Sequence, residues 1–124
     1  MENEFINYTQ ALALKELGFN ESCFGYYIET KEWIPASYSQ KGTIYPSNSD
    51  LMKEWVSASL YQQAFRWFRE KYKLDGLISG FGDGNYECSI WQKLGILGSK
   101  YYCKSYEEAE SACLDKLIEI CRTK

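Results

Sequence analysis

Apolar positions along this chain switch from helical spacing to strand alternation and back, and the switch is clearest in the second half. From Ser59 to Lys73, Tyr61, Ala64, Phe65, Phe68 and Tyr72 fall at i, i+3 and i+4, with Leu60 and Trp67 widening the stripe, which predicts an amphipathic helix. Ser59 and Gln62 have the spacing of a capping box, Arg66 can pair with Glu70, and Asp75-Gly76 has the chemistry of a turn. A second helix is predicted from Ser105 to Arg122, where Ala109, Ala112, Cys113, Leu117, Ile120 and Cys121 make the buried stripe and Leu114 and Ile118 broaden it. Ser105 with Glu108 repeats the capping box, and Glu107, Glu108 and Glu110 suit the positive end of the helix as Arg122 and Lys124 suit the negative end.

Between these helices the period falls to two. Leu77 to Ser79, Asn85 to Gln92 and Lys100 to Lys104 read as strands of an antiparallel meander, the first two joined through GFGDG. In the middle strand Tyr86, Cys88 and Ile90 share one face and Glu87, Ser89 and Trp91 the other. The first half is less regular. A helix is expected from about Asn7 to Leu17, capped by Asn7, carrying Tyr8, Ala11, Leu12 and Leu14, and closed by Gly18 and Phe19 in a Schellman ending. Cys23 to Glu29 reads as a strand. Thr30 to Ser49 is broken by Pro35, Gly42 and Pro46, with a short strand expected near Thr43 to Tyr45 and a helical turn from Asp50 to Trp55. The expected fold is a single α+β domain over residues 1–124, with three helices on one face of a mostly antiparallel sheet.

Composition narrows the chemistry more than it specifies it. A chain of 124 residues with 45% hydrophobic content suits one core and buries roughly two-thirds of its unfolded surface. A net charge of -3 offers no general basic excess to a phosphate backbone. No apolar run reaches the roughly 20 residues of a spanning helix, and MENEFINYTQ is not a leader, so no membrane and a cytoplasmic location are expected. The five cysteines, an odd number without a regular framework, are expected to be reduced apolar filler.

The chain contains no histidine. That removes imidazole bases, imidazole metal ligands and His-activated nucleophiles together. Without C-x-x-C pairs there is no local zinc signature either, and GFGDGN lacks the G-x-G-x-x-G spacing and leads into a strand. Glu29, Asp83 and Glu87 are carboxylates whose separation the sequence does not give, and no catalytic role is assigned to them. The expectation is a protein that is not an enzyme and has no cofactor or metal.

Two groups of residues remain as candidate binding sites. The basic run Arg66 to Lys73 carries Arg66, Arg69, Lys71 and Lys73 against Glu70, a local net of +3 with Trp67 and Tyr72 interleaved. It reads either as a grip for phosphate with stacking for a base or, more simply, as the solvated face of an amphipathic helix. The helix-strand-strand-strand-helix order resembles the topology of double-stranded RNA-binding domains. That family meets phosphates with lysines at the start of the last helix, where this chain has Tyr106, Glu107, Glu108 and Glu110, which repel them. The other group is aromatic: Tyr26, Tyr27, Trp91, Tyr101 and Tyr102. Adjacent residues on a strand face opposite ways, so each tyrosine pair is expected to bury one ring and present the other.

The strings ALALKELGFNESCFGYY, YQQAFRWFREKY and YEEAESACLDKLIEI resemble a family of small proteins from gut Bacteroidetes and their phages. The resemblance spans most of the chain and is weakest between Thr30 and Ala58. It implies a bacterial, prophage or mobile-element setting and no activity or site residue. The expected function is that of a cytoplasmic accessory protein binding another protein through exposed aromatics of the sheet or of the Thr30 to Ala58 segment. Nucleic-acid binding by the basic helix is the alternative, and a small-molecule binder or carboxylate-based enzyme the next.

Overall fold

The computed structural model describes residues 4–36, 38, 39, 42, 43, 45–93 and 95–123, with the backbone alone at 38, 39, 42, 43 and 98–102. It is an α+β structure that clusters into two compact units, Met1–Leu60 and Tyr61–Lys124.

In the first unit α1 (Tyr8–Glu16) begins at Asn7, whose Oδ1 accepts the Gln10 amide at 2.8 Å while the Gln10 side chain accepts the Asn7 amide at 3.0 Å. This reciprocal box satisfies two amides that the first turn leaves open. The far end closes as the sequence predicts. Gly18 takes φ 100°, a left-handed value that a Cβ would strain, so that the Phe19 amide reaches the Leu14 carbonyl at 2.9 Å and the Gly18 amide that of Lys15 at 3.0 Å. Phe19 is thereby turned into the core. Gln10, Ala11, Ala13 and Leu14 are the buried residues of α1, whereas Leu12 is exposed.

α1 packs against β5 (Val56–Ala58) of an antiparallel sheet ordered β2 (Trp33–Pro35), β1 (Gly25–Tyr27), β5. Phe5 and Ile6 extend alongside, Phe5 bridging Leu60 and the Ile6 amide donating to the Ser59 carbonyl at 3.0 Å. A two-residue pair, β3 (Tyr38–Ser39) and β4 (Gly42–Thr43), stands where the short strand near Thr43 to Tyr45 was expected, with position 44 outside the described residues. The helical turn expected from Asp50 to Trp55 forms instead as a 3-10 turn at Asn48–Asp50, because Asp50 Oδ2 accepts both the Ser47 amide at 3.1 Å and its hydroxyl at 2.9 Å. Those two bonds hold the Asp50 carboxyl below its usual pKa.

The second unit runs α2 (Tyr61–Tyr72), β6 (Asp75–Gly80), β7 (Tyr86–Gln92), β8 (Gly95–Cys103), α3 (Tyr106–Arg122), the order read from the sequence. α2 starts later than expected because Ser59 and Leu60 are committed to the extended pairing with Ile6 and Phe5, and Ser59 Oγ is buried without a partner instead of capping. Asp75 and Gly76 open β6 instead of forming a turn, since Lys73, at φ 59°, already ends the helix. At α3 the Ser105 hydroxyl caps the Glu108 amide at 3.1 Å, but the Glu108 carboxylate returns to the Lys104 amide at 3.0 Å, one residue before the cap.

The single sheet expected under three helices is therefore two three-stranded sheets. α1 serves the first, and α2 and α3 pack on one face of β6–β7–β8. On that face Cys88, Ile90, Cys113, Leu114, Leu117 and Cys121 are buried, and Cys113 lies so close to Gly76 that a Cβ there would meet its Sγ at 2.7 Å. Among the described residues no helix is long and apolar enough to cross a membrane.

Leu117→Ala empties a fully buried site and is expected to cost about 2–5 kcal/mol in denaturant unfolding. Burial, with Cys88 beside it, pushes the Cys113 thiol up to about 12 from 9.0. The folded thiol keeps its proton while the unfolded one ionises, so this contribution is whole below pH 9.0 and is lost as pH rises toward about 12. Cys113→Ala is expected to flatten the fall in stability over that alkaline interval, as read from unfolding midpoints against pH.

Candidate functional site

The basic helix face and the aromatic residues meet different fates. Arg66, Arg69 and Lys71 of α2 and Lys73 just beyond it are exposed, but Trp67 between them is buried. Trp67 is only 8% exposed and packs edge-on to Phe68 at 5.0 Å and Tyr72 at 5.7 Å. Lys71 Nζ lies over Trp67 at 4.9 Å and over Tyr72 at 5.5 Å, Arg69 approaches Asp75 at 3.9 Å, and Lys73 Nζ donates to the Glu70 carbonyl at 3.2 Å. These are the internal contacts of a solvated helix face, and exposed pairs of this kind contribute little to stability.

Tyr26 and Tyr27 point to opposite faces of their sheet, and both are half-buried. Tyr26 stacks on Trp55 at 5.3 Å, and the Trp55 indole donates to Glu29 Oε2 at 2.6 Å. Tyr27 Oη donates to the Ile6 carbonyl at 2.7 Å and its ring meets Tyr8 edge-on. The tyrosine side chains at 101 and 102 lie outside the described residues.

Trp91 is presented to solvent. The register pairs Asp75 with Trp91, Leu77 with Ser89 and Trp91 with Ile96, which places Leu77, Ser89, Trp91 and Ile96 on the face turned away from α2 and α3. Leu77 is 49%, Trp91 39% and Ile96 53% exposed. The indole Nε1 donates to Ser89 Oγ at 2.9 Å, satisfying its one polar group and fixing the ring on the sheet. The strand irregularity between Ile90 and Trp91 brings Leu97, also exposed, to the same end of the sheet.

A second surface, with no signal in the alternation pattern, is an open cleft of about 440 Å³ in the first unit. Glu4, Phe5, Phe24, Trp33, Pro35, Ala36, Tyr45 and Leu60 line it. Its rings form two pairs, Phe5 with Trp33 at 4.9 Å and Phe24 with Tyr45 at 5.4 Å. Gly25 makes the arrangement possible, because Trp33 lies diagonally across from it with Cε2, Cζ2 and Nε1 only 2.6 Å from where a Cβ would sit. Shape rather than hydrogen bonding holds this ring, since its Nε1–H is buried without an acceptor. The adjacent runs CFGYY and WIP carry these residues, but strands of three residues are too short to show which rings converge.

Displaced pKa values fall on structural groups. Asp50 and Asp83 are lowered by amide hydrogen bonds, from Ser47 and from Asn85, and Tyr72, Tyr106 and Cys113 are raised first by burial. Glu29 lies in the first unit, while Asp83 and Glu87 lie in the second, where Asp83 Oδ1 accepts the Asn85 amide within the hairpin loop at 3.0 Å. Among the described residues no group of three metal-ligating side chains converges. No protein-family model matches the chain, and neither does any curated protein or solved structure.

Gly25→Ala tests how tightly the cleft wall is built. The entropic benefit of replacing a strand glycine is about 0.5–1 kcal/mol, whereas driving a Cβ into an indole costs about 1–3 kcal/mol. Net destabilisation in thermal unfolding is expected, with displacement of the Trp33 indole resonance.

Proposed function

We propose that this chain is a non-enzymatic accessory protein of the cytoplasm that binds another protein through the open face of β6–β7–β8. The exposure of Leu77, Trp91 and Ile96 together on one face of a sheet whose other face carries α2 and α3 supports this reading. An apolar group concentrated in one place, rather than scattered singly, marks an interaction surface. Trp91 is suited to anchoring it: a large ring buries much area, and the bond to Ser89 fixes its orientation before a partner arrives, which lowers the entropy lost on binding.

The cytoplasmic setting is supported by five buried cysteines, none of them in a disulfide. The bacterial, prophage or mobile-element setting rests on the resemblance carried by the phrases YQQAFRWFREKY and EEAESACLDKLIEI. The non-catalytic reading is supported by displaced pKa values that each follow from burial or a loop hydrogen bond in the second unit or the Ser47 turn.

Trp91→Ala is expected to leave the fold intact by circular dichroism and to weaken a captured protein partner by roughly thirty-fold or more, the range of an anchoring tryptophan. Capture from nuclease-treated bacterial lysate, wild type against variant, checks it. A partner held equally by both proteins, or one released by nuclease, contradicts the proposal.

A further inference from the structure

The cleft of the first unit carries an inference independent of the sheet face. Its lining brings together four aromatic residues, Phe5, Phe24, Trp33 and Tyr45, and one acidic residue, Glu4. The remaining lining residues, Pro35, Ala36 and Leu60, bring no cation. Aromatic faces are negative, so a cation seated against the face of any of these rings is attracted, most strongly one too poorly hydrated to prefer water. A carboxylate at the same site adds to that attraction and repels anions. The surrounding unit has the same sign: residues 1–60 hold eight acidic and four basic side chains, a net of −4, against −3 for the whole chain.

We propose that this cleft binds an alkylated ammonium group, a quaternary or methylated nitrogen carried on a small molecule or on a lysine side chain. Size is consistent, since about 440 Å³ lies within the roughly 300–1,000 Å³ of small-ligand pockets. The apolar lining matches the methyl groups, and the rings with Glu4 match the charge. A simple ammonium or a metal ion suits the cleft less well, because each would leave a strong hydration shell for a wall that offers one carboxylate and few other polar atoms. Phe24 and Tyr45, both about half exposed, are the rings a ligand reaches first, while Phe5 and Trp33 form the more buried pair.

Titration of the full chain followed by aromatic proton shifts tests the proposal with four probes: tetramethylammonium, choline, a peptide bearing trimethyl-lysine, and the neutral isostere 3,3-dimethylbutanol. Saturable binding of at least one of the three ammonium probes is expected, with Phe24 and Tyr45 shifts moving and the neutral isostere weaker by roughly five- to thirty-fold. Preference for choline identifies a small-molecule source, and preference for the peptide a modified lysine. Glu4→Gln and Tyr45→Ala, both at exposed positions that leave the core intact, are each expected to weaken the ammonium probe by roughly two- to five-fold. Equal binding of the neutral isostere overturns the proposal, as does the absence of saturation by every ammonium probe up to about 10 mM, well above the roughly 1 mM that a weak specific site needs. Since Trp91 lies outside the cleft, Trp91→Ala is expected to leave these titrations unchanged, so failure here and failure of the sheet-face reading are separate results.

Discussion

The seat of α3 on its sheet depends on an approach that only glycine allows. At Gly76 the Cys113 sulfur occupies the space a Cβ would need, with Leu117 Cδ1 3.3 Å and Phe65 Cδ1 3.6 Å from the same point. Because the helix settles that closely, Cys88 and Ile90 of β7 are covered completely, and the apolar stripe of α3 is spent on one face. Neither α2 nor α3 covers the other face. Strand alternation then requires every second residue of β6 and β7 to look outward, and two of those residues, Leu77 and Trp91, are apolar, as is Ile96 of the adjoining β8. The surface offered to a partner is a consequence of how the interior is filled.

The first unit uses a strand glycine for the opposite purpose. Gly25 lets the Trp33 indole lie down on its own sheet, and the ring then forms part of the wall of a cleft instead of filling a core. Both glycines exchange backbone entropy for close packing, but one gains a sealed interface and the other an aromatic lining open to solvent. The two surfaces differ in chemistry accordingly. The sheet face presents an oriented tryptophan among aliphatic side chains, and the cleft combines rings with one carboxylate.

Periodicity made the second unit legible and left the first largely hidden. α2, α3 and β7 are long enough for their stripes to repeat, so their type and order, and which residues share a face, followed from Phe65, Phe68, Leu117, Cys88 and Ile90. Caps were legible where a side chain had no competing duty, as at Ser105 and Gly18, and misread where it did, as at Ser59, whose neighbours pair with Phe5 and Ile6. β2 and β5 have three residues each, too few for alternation to register, and their partner strand β1 joins them through contacts distant in sequence. The cleft was unreadable for the same reason: Phe5, Phe24, Trp33 and Tyr45 are separated by intervals that no local rule relates. Alternation places Trp91 with Glu87 and Ser89 on one face of its strand, whereas which face is exposed, and the orientation that Ser89 fixes, emerge only in three dimensions.

The most direct test of this account is a double-mutant cycle between Gly76 and Cys113, measured by denaturant unfolding. Gly76→Ala alone is expected to cost about 1–3 kcal/mol, because the added carbon meets sulfur. In a Cys113→Ala background the same substitution should cost far less, since Leu117 and Phe65 leave it near-contact room, giving a coupling of about 1 kcal/mol or more. Additive costs within about 0.3 kcal/mol would show that the two residues do not meet, and would remove the packing that leaves the opposite face of the sheet open.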